Sequence, residues 1–415
     1  MAEPSLTTLI DIGDEIQGYR KWSDFVDGKD GFFYGIPRDA RRVVKFNPLD
    51  NSLTEIGPDL GDGGDKWTCG VRANTGSIYC APYHSDRFLK INTNEGTVET
   101  LDNVELPETG PGGGLWVSGA LASDNNIYYM PYCAWRIMRL NPDNDLLSSV
   151  GDRLGGQGGM YKYSGTVVGN DDRVYGIPDH TTLIVKFDPT NSDTISFVGK
   201  EDKRRRFLCG NGVLAGDGYI YAANDEGQVL QIDARNNNYT WIGDPIYSGA
   251  GMGWGDAIIG ADQCIYWPPS GANRVLKFDP ETQHLPSLVG RDDLGEGDSK
   301  WNGGTLETDG AIYCIPYAAN QVLAIDPFKE LTMTMQNNII KYLEELGRLF
   351  VVKDEECDET FYDSAIRKFG IEKVFKFLGR LFAKDGCNET FYGSAVRKFG
   401  IEKVFKVLVE ECWHS

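Results

Sequence analysis

Short apolar runs alternate with polar turns along most of the chain, and one such unit occurs seven times. Clear copies read FFYGIPRDARRVVKFNP from Phe32, NIYYMPYCAWRIMRLNP from Asn126 and AIYCIPYAANQVLAIDP from Ala311. Every copy is anchored on a tyrosine: Tyr34, Tyr79, Tyr128, Tyr175, Tyr221, Tyr266 and Tyr313. A spacing of 45 to 49 residues, with several short strands per copy, predicts the blades of a β-propeller.

A complete copy contains four strand signals. The first is a small apolar run, as in ALA from Ala120, and it ends in turn residues such as Asp217-Gly218 that favour tight hairpins. The second carries the anchor tyrosine and usually stops at a proline, which has no N–H to donate to a neighbouring strand. The third alternates apolar and polar residues, as in VVKF from Val43, and the fourth is short and closes on glycine.

The seventh copy lacks a fourth strand after Pro327, and a suitable piece lies at the other end of the chain. The stretch LTTLIDIGDEI from Leu6 resembles SLTEIGPDL from Ser52, which is a fourth strand in its expected place. We therefore expect residues 5–13 to complete the last blade, which closes the ring and removes exposed sheet edges. The predicted fold is mainly β, a seven-bladed propeller over residues 1–330, with a β-solenoid as the alternative.

The period becomes helical from about residue 336. NNIIKYLEELGRLF places its apolar residues on one stripe of a helix, and a unit of about 30 residues then occurs twice, from Gly347 and from Gly379. We expect a small α-helical module over 331–415 that binds a protein partner or another copy of the chain. The phrase AVRKFGI faintly resembles a helix-turn-helix corner, but the near-neutral charge of this region argues against DNA binding.

Composition narrows the function classes. The net charge is -20, of which -19 precedes Leu331, so we expect no binding to nucleic acid or to an anionic membrane. No apolar run is long enough to cross a bilayer, and the N-terminus has no signal-peptide core. The nine cysteines form no C-x-x-C pair, which favours a reducing compartment and predicts a cytoplasmic protein.

An aromatic residue ends most of the Gly- and Asp-rich linking loops, 12 residues before the anchor tyrosine. These candidate residues are Trp22, Trp67, Trp116, Tyr163, Trp254 and Trp301. In the copy anchored on Tyr221, Cys209 holds this position and Phe207 precedes it. Two interpretations remain open: the aromatics wedge between neighbouring blades, or they form a ring at the channel mouth that stacks on a ligand such as a glycan.

The loop between the second and third strands supplies the other candidate residues. It contains Tyr83, Tyr132 and Tyr317, and an arginine often precedes the third strand, as Arg87 and Arg136 do. Two of the four histidines, His84 and His180, also lie in this loop. They are either solvated loop residues or, with nearby acids, a divalent metal site or an acid–base pair. No cofactor is predicted otherwise.

The phrase IYxxPxxxxxVLKFDPxT resembles the blade repeats of the NHL, YVTN and virginiamycin B lyase-like propellers, over about residues 5 to 328. The resemblance implies a propeller but not one activity, because such propellers include scaffolds, sensors, lyases and lactonases. It implies that a lyase would use a histidine and a divalent metal on one face, where only His84 and His180 could correspond. We therefore expect a non-enzymatic binding or scaffold protein, with a metal-dependent lyase or lactonase as the alternative.

Overall fold

The structure is a computed structural model of the 415-residue chain. It describes residues 6–11, 20–101, 106, 113–155, 160–191, 194–200, 207–246, 253–292, 294–295, 297, 299–307 and 310–327. All but Pro327 belong to one compact unit, Ser5–Asp326. The predicted helical module over 331–415, with its tandem repeat, lies outside the described residues.

The described chain folds into seven four-stranded antiparallel sheets, and it contains no helix. The first strands are β2 (Trp22–Asp27), β6 (Val71–Arg72), β10 (Trp116–Leu121), β14 (Tyr163–Val168), β18 (Val213–Leu214), β22 (Ile258–Ile259) and β26 (Trp301–Leu306). The second strands are β3 (Phe33–Pro37), β7 (Ser77–Cys80), β11 (Ile127–Pro131), β15 (Val174–Pro178), β19 (Ile220–Ala223), β23 (Ile265–Trp267) and β27 (Ile312–Pro316).

The outer half of each sheet follows the same order. The third strands are β4 (Val43–Asn47), β8 (Leu89–Asn92), β12 (Ile137–Asn141), β16 (Ile184–Phe187), β20 (Val229–Asp233), β24 (Val275–Phe278) and β28 (Gln321–Ile325). The fourth strands are β5 (Ser52–Ile56), β9 (Thr97–Thr100), β13 (Leu146–Val150), β17 (Ile195–Val198), β21 (Asn238–Ile242), β25 (Ser287–Val289) and, in the seventh blade, β1 (Thr7–Asp11).

The ring is closed by the N-terminal strand, as predicted. β1 pairs antiparallel with β28 over five residues, from Thr7 opposite Ile325 to Asp11 opposite Gln321. Leu6, just before β1, is 1% exposed and packs in the core formed by the sixth and seventh blades. The predicted mainly β, seven-bladed propeller is therefore confirmed.

Burial within a blade follows the chemistry of its strands. First strands of neighbouring blades contact each other, so they lie around the central axis. The second strands are buried along their whole length, and the fourth strands are largely exposed. The apolar core is therefore made of seven clusters, most of them between adjacent blades, as expected when each sheet buries both faces against its neighbours.

The anchor tyrosines are fixed by a repeated polar cluster. In the fourth blade the Tyr175 hydroxyl donates to Asp171 Oδ2 at 2.9 Å, and Lys186 Nζ lies 2.9 Å from the same oxygen. The second blade has no acid at the equivalent position. There, Asp145 reaches across from the third blade, accepting from the Tyr79 hydroxyl at 2.6 Å and from Lys90 Nζ at 2.7 Å. Asp145 thus joins two blades through one carboxylate.

We expect Asp145→Ala to lower the free energy of unfolding by about 2 kcal/mol, because it leaves a buried phenol and an ammonium without their shared acceptor. Urea denaturation of the purified protein measures the change. Asp143→Ala, in the same turn but exposed, is the matched control and should leave the midpoint unchanged. Equal midpoints for the two variants would show that Asp145 does not hold the blades together.

Candidate functional site

One position recurs at the end of every second strand and forms a rim on one face of the propeller. We call these the rim residues: Arg38, Tyr83, Tyr132, Asp179, Asp225, Ser270 and Tyr317. Most rim residues make two backbone hydrogen bonds. The N–H of the rim residue donates to a carbonyl of its own blade, and its carbonyl accepts from an N–H of the next blade. At Tyr132, for example, the N–H donates to Leu115 O at 3.0 Å and the carbonyl accepts from Lys162 N at 2.9 Å. The rim residues are therefore held by backbone bonds that link the blades.

Buried lysines reinforce this arrangement. Lys21, Lys66, Lys162 and Lys300 all lie directly before the first-strand aromatic and are at most 5% exposed. Lys21 Nζ donates to Ala319 O at 3.0 Å, and Lys66 Nζ donates to Gly63 O at 2.7 Å. Burial lowers the pKa of Lys162 to about 8. Lys21 thus ties its linking loop to the segment that follows the rim residue Tyr317, and Lys66 closes its own linking loop.

Five rim side chains on consecutive blades form a continuous arc. The Arg38 guanidinium lies 5.2 Å from the Tyr317 ring on one side and 5.0 Å from the Tyr83 ring on the other. Tyr83 and Tyr132 have ring centroids 6.1 Å apart. Asp179 is the next residue of the arc after Tyr132. Burial is the largest cause of the raised pKa of the Tyr132 phenol, and the charge of Asp179 is the second. The arc thus runs over the seventh, first, second, third and fourth blades.

Asp65 holds the arginine end of the arc. Its Oδ1 accepts from Arg38 Nε, and its Oδ2 lies 3.6 Å from Arg20 Nη1. His84 Nδ1 lies 4.0 Å from the same Oδ2, and the His84 ring contacts the Tyr83 ring at 4.6 Å. Arg38 is fixed between two tyrosine faces, a geometry that adds cation–π attraction to the ion pair.

The other end of the arc is acidic. Tyr161 contacts Tyr132 at 5.2 Å and His180 at 5.4 Å between ring centroids, and His180 Nδ1 lies 3.0 Å from Asp179 Oδ1. Burial raises the pKa of Asp179 to about 6, against the opposing effect of His180. Burial also raises the pKa of Asp225, the next rim residue, again against His180. Two desolvated carboxyls therefore flank one histidine.

Local backbone features bring these side chains together. Asp65 and Tyr161 both have left-handed φ, 55° and 54°, two residues before the first-strand aromatic of their blades. Each accepts through its carbonyl from the residue after the rim position, His84 or His180. At Gly114 a Cβ would lie 2.4 Å from the Tyr83 ring, so the linking loop packs directly on that ring.

The candidate aromatics of the first strands are buried. Trp22, Trp67, Trp116, Tyr163, Trp254 and Trp301 are between 0% and 8% exposed. The five indole N–H groups each donate to a backbone carbonyl 20 residues further on, at 2.9 to 3.4 Å. In the fifth blade Cys209 occupies the position, and Phe207 packs on Tyr239 and Trp241. The rings also pack in clusters that join neighbouring blades, in agreement with the interpretation as wedges between blades, and they offer little surface to a ligand.

The remaining candidates divide into two groups. Tyr83, Tyr132 and Tyr317 are brought together in the arc. Arg136 donates to Gly151 O in its own blade, and Arg87 lies 3.8 Å from Asp86, so neither is placed in the arc by these contacts. His84 and His180 belong to opposite ends of the arc. In the described part of the chain no group of three or more His, Cys, Asp or Glu side chains is placed to hold a metal ion.

Sequence reasoning did not single out four residues in or beside the arc as site candidates: Arg38, Tyr161, Asp179 and Asp225. Arg38 and Asp179 each follow the proline that ends a second strand, as Tyr83 does, so aligning the copies on that proline would have found them. Asp225 follows Asn224, which takes the place of the proline in the fifth blade. Tyr161 has no such signal, because it enters from a linking loop.

Two further carboxyls lie near the central axis, Asp24 on β2 and Asp256 two residues before β22. Asp24 Oδ2 accepts from Gly70 N at 3.3 Å, and Asp256 Oδ1 accepts from Asn211 N at 3.0 Å. Burial, aided by the charge of Asp256, raises the pKa of Asp24 to about 8, and burial raises the pKa of Asp256 to about 6. The seventh blade lies between these two blades, and its Gly303 leaves room for the Asp24 side chain. A Cβ at Gly303 would lie only 2.6 Å from Asp24 Oδ1.

Comparison with known proteins supports the fold. No protein-family model matches the chain, and no curated protein resembles it significantly. A solved streptogramin B lyase is 12% identical, with a TM-score of 0.61, over 77% of this chain and 96% of its own. A catalytically inactive variant of virginiamycin B lyase from Staphylococcus aureus, solved with quinupristin, is 13% identical, with a TM-score of 0.61, over 77% and 98%.

A third similar structure is the extracellular domain of BT3049 from B. thetaiotaomicron, described as part of a hybrid two-component system. It is 12% identical, with a TM-score of 0.57, over 80% of this chain and 42% of its own. At these identities the likeness shows the fold alone: a seven-bladed propeller resembling the virginiamycin B lyase-like propellers. No helix of the described residues is long and apolar enough to cross a membrane. The six described cysteines are buried.

Proposed function

We propose that the protein is a non-enzymatic binding protein whose ligand or protein partner docks on the rim face. The observation that carries the proposal is the continuous arc Tyr317–Arg38–Tyr83–Tyr132, extended by Tyr161. Its rings are tilted by 39° and 48° where they meet, so together they form a curved aromatic surface. The blade-linking backbone bonds fix that surface before any ligand arrives, which reduces the entropy lost on binding.

The chemistry of the arc also supports a binding role. Tyr83, Tyr132 and Tyr161 are half-buried, so each ring has an exposed part and a part fixed by packing. Tyrosines and arginines in such positions contribute strongly to protein recognition because they offer large rigid surfaces with polar tips. A second partner on the C-terminal residues 331–415 remains a prediction.

A microarray that carries glycans, peptides and immobilised small molecules tests this proposal. We expect the full chain to bind one chemical class, and a Tyr132→Ser/Tyr161→Ser variant to lose about tenfold or more in affinity. Phe197→Ser, which alters an exposed apolar side chain on β17, is the control and should bind like the unaltered chain. Binding that persists unchanged in the rim variant, or no binding by the full chain, would overturn the proposal.

A catalytic role is the second candidate, and His180 is the residue that favours it. Its Nδ1 lies 3.0 Å from Asp179 Oδ1 and its ring contacts Tyr161, an arrangement that suits a general acid or base. The metal-dependent lyase or lactonase, which the sequence left as the alternative, would depend on His180 together with His84. Mass spectrometry of products from a panel of lactones and cyclic depsipeptides checks this. Turnover by the full chain that His180→Ala abolishes would establish an enzyme, and no turnover by either would exclude one for these substrates.

A further inference from the structure

The two ends of the arc differ in what lies over their tyrosine rings. At one end Arg38 supplies a cation to both Tyr83 and Tyr317, at 5.0 and 5.2 Å from the ring centroids. At the other end Tyr132 and Tyr161 lie 5.2 Å apart and tilted by 48°, and no lysine or arginine of the described residues lies over either ring. Within one arc, therefore, the tyrosines at one end are in contact with a cationic side chain of the protein, and the described residues supply no such cation at the other end.

The carboxyls differ in the same way. Asp65, at the first end, is paired with Arg38 and Arg20. Asp179 and Asp225, at the second end, have no lysine or arginine within ion-pair distance among the residues that the structure describes. Asp179 lies 3.0 Å from His180 Nδ1 and accepts a hydrogen bond from the Tyr132 phenol. The Asp179 side chain is 15% exposed, so its charge is poorly solvated by water. Adjacent desolvated carboxylates attract a cation strongly.

We propose that the Tyr132, Tyr161, Asp179 and Asp225 side chains bind an organic cation, either an alkylammonium or a guanidinium group. This inference rests on the proposed binding function and names its ligand class. The two rings offer their negative faces, and the two carboxylates supply the opposite charge at the same end of the arc. A net charge of -20 raises the local concentration of cations around the protein and favours their encounter with the site.

The group can be carried by a free small molecule or by a lysine or arginine side chain of a peptide. The chain also has a basic stretch of its own, KRRR at residues 203–206, which precedes Phe207 in the sequence and lies outside the described residues. The experiment therefore includes a variant in which these four residues are serine. Tighter cation binding by that variant would identify the stretch as an internal competitor for the same chemistry.

Calorimetric titration of the full chain with choline and with 3,3-dimethylbutan-1-ol, its uncharged isostere, tests the cation preference. We expect choline to bind at least about tenfold more tightly than the alcohol, in the full chain or in the serine variant. Choline affinity should fall as the pH is lowered from about 7.5 to 5, because Asp179, whose pKa burial raises to about 6, then becomes protonated and loses its charge. An acetylated tetralysine peptide that binds far more tightly than choline would indicate a peptide partner, and the reverse a small molecule.

Two substitutions connect the binding to these side chains. Tyr161→Leu keeps apolar bulk but removes the aromatic face, and Asp225→Asn keeps the shape but removes the charge. Each should weaken choline binding by about threefold to tenfold. Tyr219→Leu, at the opposite end of a second strand, is the matched control and should bind choline normally.

Equal affinities for choline and the alcohol, or no choline binding by the full chain and the serine variant, would overturn the inference. If another ligand class then binds in a manner that depends on Tyr132 and Tyr161, the proposed binding function survives without it. If no class does, both fail.

Discussion

Deletion of residues 1–11 should lower the free energy of unfolding by about 5 kcal/mol, because it removes the fourth strand of the seventh blade. The deleted strand pairs with β28 over five residues, and Leu6 beside it is 1% exposed. Ladder hydrogen bonds contribute about 1 kcal/mol each, and burial of one leucine contributes about 2 kcal/mol. A loss of this size approaches the whole stability of many domains.

The same deletion exposes Gln321–Ile325 as an unprotected sheet edge, so the shortened protein should also self-associate. Urea denaturation measures the loss of stability, and size-exclusion chromatography with light scattering measures the association. Deletion of residues 1–4 alone is the control, since Leu6 and β1 remain, and it should behave like the full chain. A monomer with an unchanged unfolding midpoint after deletion of residues 1–11 would show that the ring does not need this strand.

This closure was predictable because the seven copies of the repeat can be aligned with one another, so a missing strand is visible in the sequence. The seven copies share a turn and a buried aromatic strand, five of them end their fourth strand in glycine, and only one copy lacks its last strand. Each of these features is a local consequence of residue type: Asp-Gly favours a tight turn, and proline ends hydrogen bonding of a strand. Local chemistry repeated seven times therefore specified the blade count, the strand order and the partner of β28.

The candidate site was only partly predictable, because rim side chains differ from blade to blade. Tyr83 and Tyr132 were found through their loop, but their contact joins blades that are 49 residues apart in the chain. The 12-residue spacing to the anchor tyrosine does not tell whether a tryptophan such as Trp116 faces a ligand or the core. Its orientation depends on the β-bulge after Trp116 and on the hydrogen bond from its indole N–H to Arg136 O, which form only in the folded protein. Tyr161 and Asp225 gain their importance from neighbours in other blades, which no local pattern reveals.

The carboxyls of the central axis show the same limit and lead to the second large effect. Asp24 lies on β2 among alternating residues that the sequence marks simply as a strand. Its position near Asp256 exists only because the first and sixth blades meet around the axis with Gly303 between them. The resulting burial and mutual repulsion raise the pKa of Asp24 to about 8 from an ordinary value of 3.8.

Asp24→Asn should therefore stabilise the protein at neutral and alkaline pH, by about 3 kcal/mol at pH 8. Between the pKa of 3.8 and the folded value of about 8, the folded protein holds a proton on Asp24 that the unfolded chain has lost. Folding in this range requires uptake of that proton, so the carboxyl destabilises the fold increasingly as the pH rises from about 4 to about 8. Asparagine keeps an oxygen that accepts from Gly70 N and does not ionise.

Unfolding free energies measured at pH 4, 6 and 8 for the unaltered protein and the variant check this expectation. The difference should be close to zero at pH 4 and should grow with pH, whereas Asp143→Asn, an exposed substitution with the same charge change, should show no such slope. Asp256→Asn should reduce the gain from Asp24→Asn, since the charge of Asp256 contributes to the raised pKa of Asp24. A gain that is equal at pH 4 and pH 8 would mean that packing, and not ionisation, governs this position.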